Sequence, residues 1–245
     1  MPYMYYYGID WTYLVLVLPC VIFAFIASAR VNSTFERYSR QMSSRHITGA
    51  EAARRVLLKN GVSDVRIERI SGNLTDHYDP KTNVIRLSDK VYDNTSTAAI
   101  GVACHEAGHA VQYAHNYAPI HLRAAIIPVT NIGSMLAMPL ILIGLLFTSE
   151  AATSSGFIYA GIACFGLSTV FQLITLPVEF NASRRAMAAI KDGALLTPEE
   201  QTGARRTLTA AAMTYVAALA VSLAQLLRLL LLFGGRRRND QLVDN

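Results

Sequence analysis

The chain of 245 residues is 52% hydrophobic and only 16% charged, with a mean hydropathy of +0.30. A soluble domain of this size usually carries about 25% charge, so an ordinary aqueous enzyme is excluded, as is disorder, which needs low hydrophobicity and high net charge. The net charge of +5 suits a membrane protein with basic cytoplasmic loops, and no aromatic–basic stripe or Gly-rich phosphate loop points to nucleic acid.

The first apolar segment, Tyr13 to Ala29, carries no charge. It sits at the short end of the roughly 17 to 25 helical residues that cross a bilayer. Ala27-Ser28-Ala29 looks like a signal-peptide cleavage site, but the preceding twelve residues contain Asp10 and no Lys or Arg. Signal peptides begin with a basic region, so the segment reads as an uncleaved anchor with its N-terminus outside.

An aqueous stretch follows. Thr48 with Glu51 three residues on forms a capping box, and Gly61 suits the end of that helix. Val65 to Ile70 alternates like a strand in its first half. Asp79 to Asn83 is a turn signal, and Val84 to Leu87 reads as a second strand, one that could bind an extended peptide by edge addition. A helix is predicted from near Ser96 to about His115. The order is helix, short sheet, helix, then membrane.

Ile126 to Phe147 and Phe157 to Val178 are uncharged and long enough to span. Leu208 to Leu227 is also uncharged, with apolar residues continuing past Arg228 to Phe233. Its Ala, Thr, Ser and Gln225 leave a buried or interfacial helix open beside the favoured reading of a fourth span. Residues 30–125 hold thirteen Lys and Arg and residues 179–207 hold five, whereas residues 1–12 and 148–156 hold none. The pattern is out, in, out, in, which places the aqueous domain in the cytoplasm. Arg236, Arg237 and Arg238 break the rule if the last segment crosses. The expected organisation is therefore an N-terminal extracytoplasmic segment with the first span (1–29), a cytoplasmic domain (30–125) and a helical hairpin (126–178). A second cytoplasmic segment (179–207), a fourth apolar helix (208–233) and a basic tail (234–245) complete it. Cys20, Cys104 and Cys164 form no CxxC and are odd in number, so no disulfide framework is expected.

The chemistry lies in His105-Glu106-Ala107-Gly108-His109, an H-E-x-x-H motif. Spacing of four puts both imidazoles on one helix face, where they can share one zinc ion. Glu106 follows the first ligand and can take a proton from a water acidified there. The flanks Val102-Ala103-Cys104 and Ala110-Val111 make the helix largely buried, and a buried His-Glu-His face costs free energy unless paired or metal-bound.

A catalytic zinc needs a third protein ligand. His115 lies ten residues after His105, but Gln112 replaces the glycine that would turn the chain back. On a continued helix His115 sits about 15 Å along the axis from His105. Glu179 is the better candidate, because the His pair precedes the second span and Glu179 follows the third, and two crossings return the chain to the same face. Glu150 and Asp79 stay open as alternatives. For the tetrahedral oxyanion, the possible donors or substrate contacts are His77, Tyr78, Tyr113 and Arg184.

Ser71-Gly72-Asn73-Leu74-Thr75-Asp76-His77-Tyr78-Asp79-Pro80, then Leu87-Ser88, then Val102-Ala103-Cys104 leading into HEAGHA and Gln112, resemble the bacterial membrane-bound neutral zinc metallopeptidases (YugP-like). Pro177 to Ala186 resembles that family's second block. The resemblance runs over nearly the whole chain. It implies a mainly α membrane protein of about four transmembrane helices plus a small α+β zincin-like metalloprotease domain. It further implies a gluzincin-type site with one Zn²⁺ on His105, His109 and Glu179 and Glu106 as base. Where the resemblance leads one to expect an acidic residue two positions after Glu179, the chain has Asn181; Asn181 or Ser183 is then the possible orienting group. HEAGHA also resembles the AAA-type membrane proteases, but no G-x-x-x-x-G-K-[ST] occurs, so no ATP is expected.

The expected function is a zinc endopeptidase of the bacterial cell membrane, acting on polypeptide that is unfolded or membrane-associated. Its rival is a catalytically silent, zinc-stabilised scaffold, in which Glu106 would have no task.

Overall fold

The computed structural model describes residues 10–146 and 151–234. Glu150 and the three arginines of the tail lie outside the described residues. The fold is mainly α, with a three-stranded sheet. A π-helical turn, Tyr13–Val17, leads into α1 (Leu18–Tyr38), followed by α2 (Gly49–Lys59), β1 (Arg66–Ile70), β2 (His77–Asp79) and β3 (Val84–Ser88). Then come α3 (Asp89–Tyr92), α4 (Thr97–Ala114), α5 (Ala118–Leu146), α6 (Ala151–Asp192) and α7 (Gln201–Phe233). Among the described residues four helices are long and apolar enough to cross a membrane: Tyr13–Tyr38, Ala118–Leu146, Ser155–Asp192 and Gln201–Phe233. The chain divides into two compact units.

The helical unit takes residues 10–25, 123–174 and 215–234. Many of its large apolar side chains point outward, among them Val15, Phe25, Ile132, Met135 and Leu231. Its helix contacts combine a small buried apolar cluster, Ile141, Ile158, Ile162 and Leu229, with small and polar groups. A Cβ at Gly161 would lie 2.7 Å from the Ala137 carbonyl oxygen, so only glycine lets α5 and α6 approach there. Thr169 Oγ1 and Ser222 Oγ are 2.7 Å apart, joining α6 to α7. The Arg228 guanidinium donates to Asp10 from Nε at 2.9 Å and lies over the Tyr13 ring. The single cation of the last apolar segment thus has an anion, and α7 ends beside the start of the first helix.

The mixed unit takes residues 26–122 and 175–214. Thr48 caps α2 by accepting from Glu51 N at 3.2 Å, and Gly61 turns the chain at φ 71°, both as the sequence predicts. The buried face of α2 is Ala52, Ala53, Val56 and Leu57, packed against α4. Ser96 caps α4 by accepting from Ala99 N, and Asn116 at φ 52° ends it, with Tyr117 N donating to Gln112 O at 2.9 Å. A further capping box opens α7: Glu200 accepts from Thr197 N at 3.0 Å and also from Ser44 N at 2.7 Å.

The sheet order is β1-β3-β2, with β1 parallel and β2 antiparallel to β3. This corrects the expectation for Val84 to Leu87. That strand is central, its Val84, Ile85 and Leu87 are wholly buried, and both its edges are paired, so it cannot take an extended peptide. The free edges belong to β1 and β2. β2 leaves no mark in the sequence, because three residues, His-Tyr-Asp, are too short for any alternation to register.

Candidate metal centre

The site is built by one close helix crossing inside the mixed unit. His105 and His109 stand a turn apart on α4, with ring centroids 4.7 Å apart and planes at 85°. Glu179 comes to them on α6. Its Oε2 lies 3.2 Å from His105 Nε2 and 3.5 Å from His109 Nε2. Gly108 makes this approach possible: a Cβ there would lie 2.9 Å from the Ala182 carbonyl oxygen of α6. The motif's glycine therefore has a packing task, since any side chain would push the carboxylate away from the imidazoles.

Electrostatics favour a cation at this place. Glu179, 2% exposed, and Glu106, 9% exposed, are two carboxylates in one buried neighbourhood. Burial alone depresses the His109 pKa, but Glu179 and Glu106 overcome it and the net shift is upward. Buried anions of this kind require a compensating charge. One ligand atom from each of His105, His109 and Glu179 lies within 4.8 Å of the others. Nitrogen, nitrogen and carboxylate oxygen, three ligands with one position left over, are a donor set suited to catalytic zinc.

Glu106 points toward the sheet. Its Oε2 accepts from the Tyr78 backbone N–H of β2 at 3.1 Å. Behind that strand Asp76 accepts from Ser88 N at 2.7 Å and Ser88 Oγ at 3.0 Å, which anchors the loop leading into β2. Burial raises the Asp76 pKa and the Glu106 charge adds to it, against the lowering effect of the Ser88 bonds. Cys104 beside the motif is fully buried and its thiol is pushed up to about 12 by burial, so it is not a nucleophile.

The other predicted residues fall in several places. The Tyr78 hydroxyl donates to Asn83 Oδ1 at 2.7 Å, and burial pushes its pKa up to about 12, so it stays protonated. The Tyr113 ring packs between Tyr78, tilted at 57°, and His121, edge-on at 78°, with centroids 5.6 and 5.0 Å away. His77 is exposed, with Nδ1 at 2.8 Å from Thr75 O, and Arg184 is exposed. His115, the C-cap of α4, has its Nε2 at 3.3 Å from Asn60 O and is absent from the cluster. Asp79, at the end of β2, accepts from Thr82 and Arg86 and is likewise absent from the cluster. Ser183 Oγ is 3.2 Å from His105 Nδ1. Asn181 accepts from Arg185 Nε and from Gln112 Nε2. Gln112 stands three residues after His109 on the same helix face, and that spacing is the signal in the sequence for its contact with the ring.

The sequence matches the family described as "Putative neutral zinc metallopeptidase" over residues 13–234. The chain belongs to that family. It is also 45% identical over 228 residues to a protein of Bacillus subtilis (strain 168) described as "Putative membrane protease YugP", an alignment covering 93% of this chain and 99% of that protein. No solved structure matches the chain. The family implies zinc, and among the described residues His105, His109 and Glu179 form a group that could hold it.

Proposed function

We propose that this protein is a zinc-dependent endopeptidase of the bacterial cell membrane whose site faces the cytoplasm. One observation carries the reading: a second carboxylate, Glu106, is held beside the three-residue cluster without belonging to it. A purely structural zinc site is closed by four protein ligands and has no use for an extra base.

His105 and His109 would hold the ion with their Nε2 atoms and Glu179 with its carboxylate. When bound, zinc supplies Lewis acidity toward a water and a peptide carbonyl. Glu106 takes the proton of the attacking water on its carboxylate and delivers it to the departing amine nitrogen. The Tyr78 N–H orients that carboxylate from the edge of the sheet. This N–H points away from β3 and is taken up by Glu106, so the carboxylate sits at the outer edge of β2. The substrate is a polypeptide in extended form, either unfolded or a loop of a membrane-associated protein, since backbone pairing needs an accessible main chain. The thirteen basic residues of 30–125 support the cytoplasmic orientation, and the Asp10–Arg228 pair supports a full crossing by α7.

Glu106→Gln in the full chain, purified in detergent, tests the reading. The expected result is one zinc per chain by elemental analysis, with cleavage of an unfolded casein substrate reduced about 10²- to 10⁴-fold. Undiminished cleavage by the variant overturns the role of Glu106. Zinc-replete wild type that cleaves neither casein nor membrane-protein loops leaves the scaffold as the better account.

A further inference from the structure

Gln112 is completely buried, and its amide makes three hydrogen bonds at once. Oε1 lies 2.9 Å from His109 Nδ1, while Nε2 lies 2.9 Å from Val178 O and 3.0 Å from Asn181 Oδ1. It therefore touches a proposed zinc ligand on α4 and the segment of α6 that carries Glu179.

The direction of every bond follows from one end of this chain. Arg185 Nε donates to Asn181 at 2.8 Å, and a guanidinium has no acceptor, so the Asn181 atom it meets is oxygen. The same oxygen faces Gln112 at 3.0 Å, so the Gln112 atom there is the nitrogen donor. That nitrogen's second proton goes to the Val178 carbonyl. The remaining Gln112 atom is then oxygen, and it can only accept. His109 Nδ1 must carry a proton, which leaves the lone pair on Nε2, the atom directed at Glu179.

We infer that Gln112 is a positioning residue of the centre: it sets the His109 tautomer and ties that ring to the backbone beside Glu179. The inference rests on the zinc-peptidase reading above. It also gives Asn181 a place. An acidic side chain is not needed there, because the orienting oxygen for His109 comes from a neutral amide on α4, and Asn181 holds that amide in its orientation. Ser183 is the neutral counterpart for His105. Both proposed imidazole ligands thus lean on uncharged oxygens, where a carboxylate often orients a zinc-binding histidine.

The test measures zinc Kd by chelator competition, together with the visible spectrum of the Co²⁺-substituted protein, on full-length chains in detergent. Gln112→Met keeps the volume and removes the acceptor; its zinc Kd should weaken about 10- to 100-fold, with an altered Co²⁺ spectrum. Gln112→Glu keeps an acceptor for Nδ1 and loses both donors, so it should bind zinc more tightly than Gln112→Met while unfolding at a lower temperature than wild type. Asn181→Leu, which releases the amide without touching α4, should weaken zinc in the same direction and decides the matter alone if Gln112→Met does not fold. A folded Gln112→Met chain with wild-type Kd and spectrum overturns the inference, as does Gln112→Glu losing zinc to the same extent as Gln112→Met. In both cases wild-type zinc binding, and with it the peptidase reading, stands. Wild type that takes up no zinc removes that reading and this inference together.

Discussion

The two units use the same side chains in opposite senses. In the helical unit Phe25 is 74% exposed and Leu146 is 80% exposed, while the helix contacts rest on glycine, Thr169–Ser222, the Asp10–Arg228 pair and only a small buried cluster around Ile158. In the mixed unit Leu87 and Ile100 are wholly buried, and the charged groups of α2 and the strands face out. Outward apolar surface is costly in water and free in lipid, so the solvent on each side of the chain decides which residues turn inward. The candidate metal centre lies in the unit that follows aqueous rules. Its polar groups are buried there as a bonded set, which a lipid-facing helix could not supply.

The largest expected contrast is between two apolar truncations. Leu87→Ala empties the central strand of the mixed unit and should cost about 2–5 kcal/mol in denaturant unfolding in detergent. Phe25→Ala removes an outward ring and should stay within about 0.5 kcal/mol. Equal losses would mean that the Phe25 ring is packed against protein and does not face outward. Next come two glycines. Gly108→Ala should destabilise by about 1–3 kcal/mol and weaken zinc binding, because the new methyl meets the Ala182 carbonyl. Gly166→Ala on α6 meets nothing within 4 Å and should gain up to about 1 kcal/mol from helix propensity. Zinc binding unchanged by Gly108→Ala would show that the crossing is looser than 2.9 Å implies.

The smallest effect is acid sensitivity. Partial burial pulls the Glu200 pKa up, but the backbone N–H groups of Ser44 and Thr197 pull it further down, so the net shift is downward. A carboxylate whose folded pKa is lowered stabilises the fold above its unfolded value of about 4.3 and loses that contribution as pH falls through the folded value. Glu200→Gln should therefore be less stable than wild type at pH 7, with a shallower loss of stability below about pH 4.3. Parallel acid profiles for the two proteins would remove Glu200 from this role.

The amino-acid sequence by itself determined whatever depends on spacing within one element. The uncharged runs set the membrane class, and Thr48 with Glu51 set a cap. The four-residue interval of His105 and His109 put two imidazoles on one helix face, because 3.6 residues per turn allows nothing else. Only the tertiary structure decided what meets across elements. Glu179 stands 74 residues from His105, and counting crossings named its side of the bilayer without bringing it to 3.2 Å. The Gln112–Asn181 link, the burial of β3 between β1 and β2, and the Tyr78 N–H on Glu106 were invisible for the same reason. Such contacts depend on how closely helices and strands pack, and that closeness is set jointly by distant small residues such as Gly108 and Ala182 rather than by any local pattern.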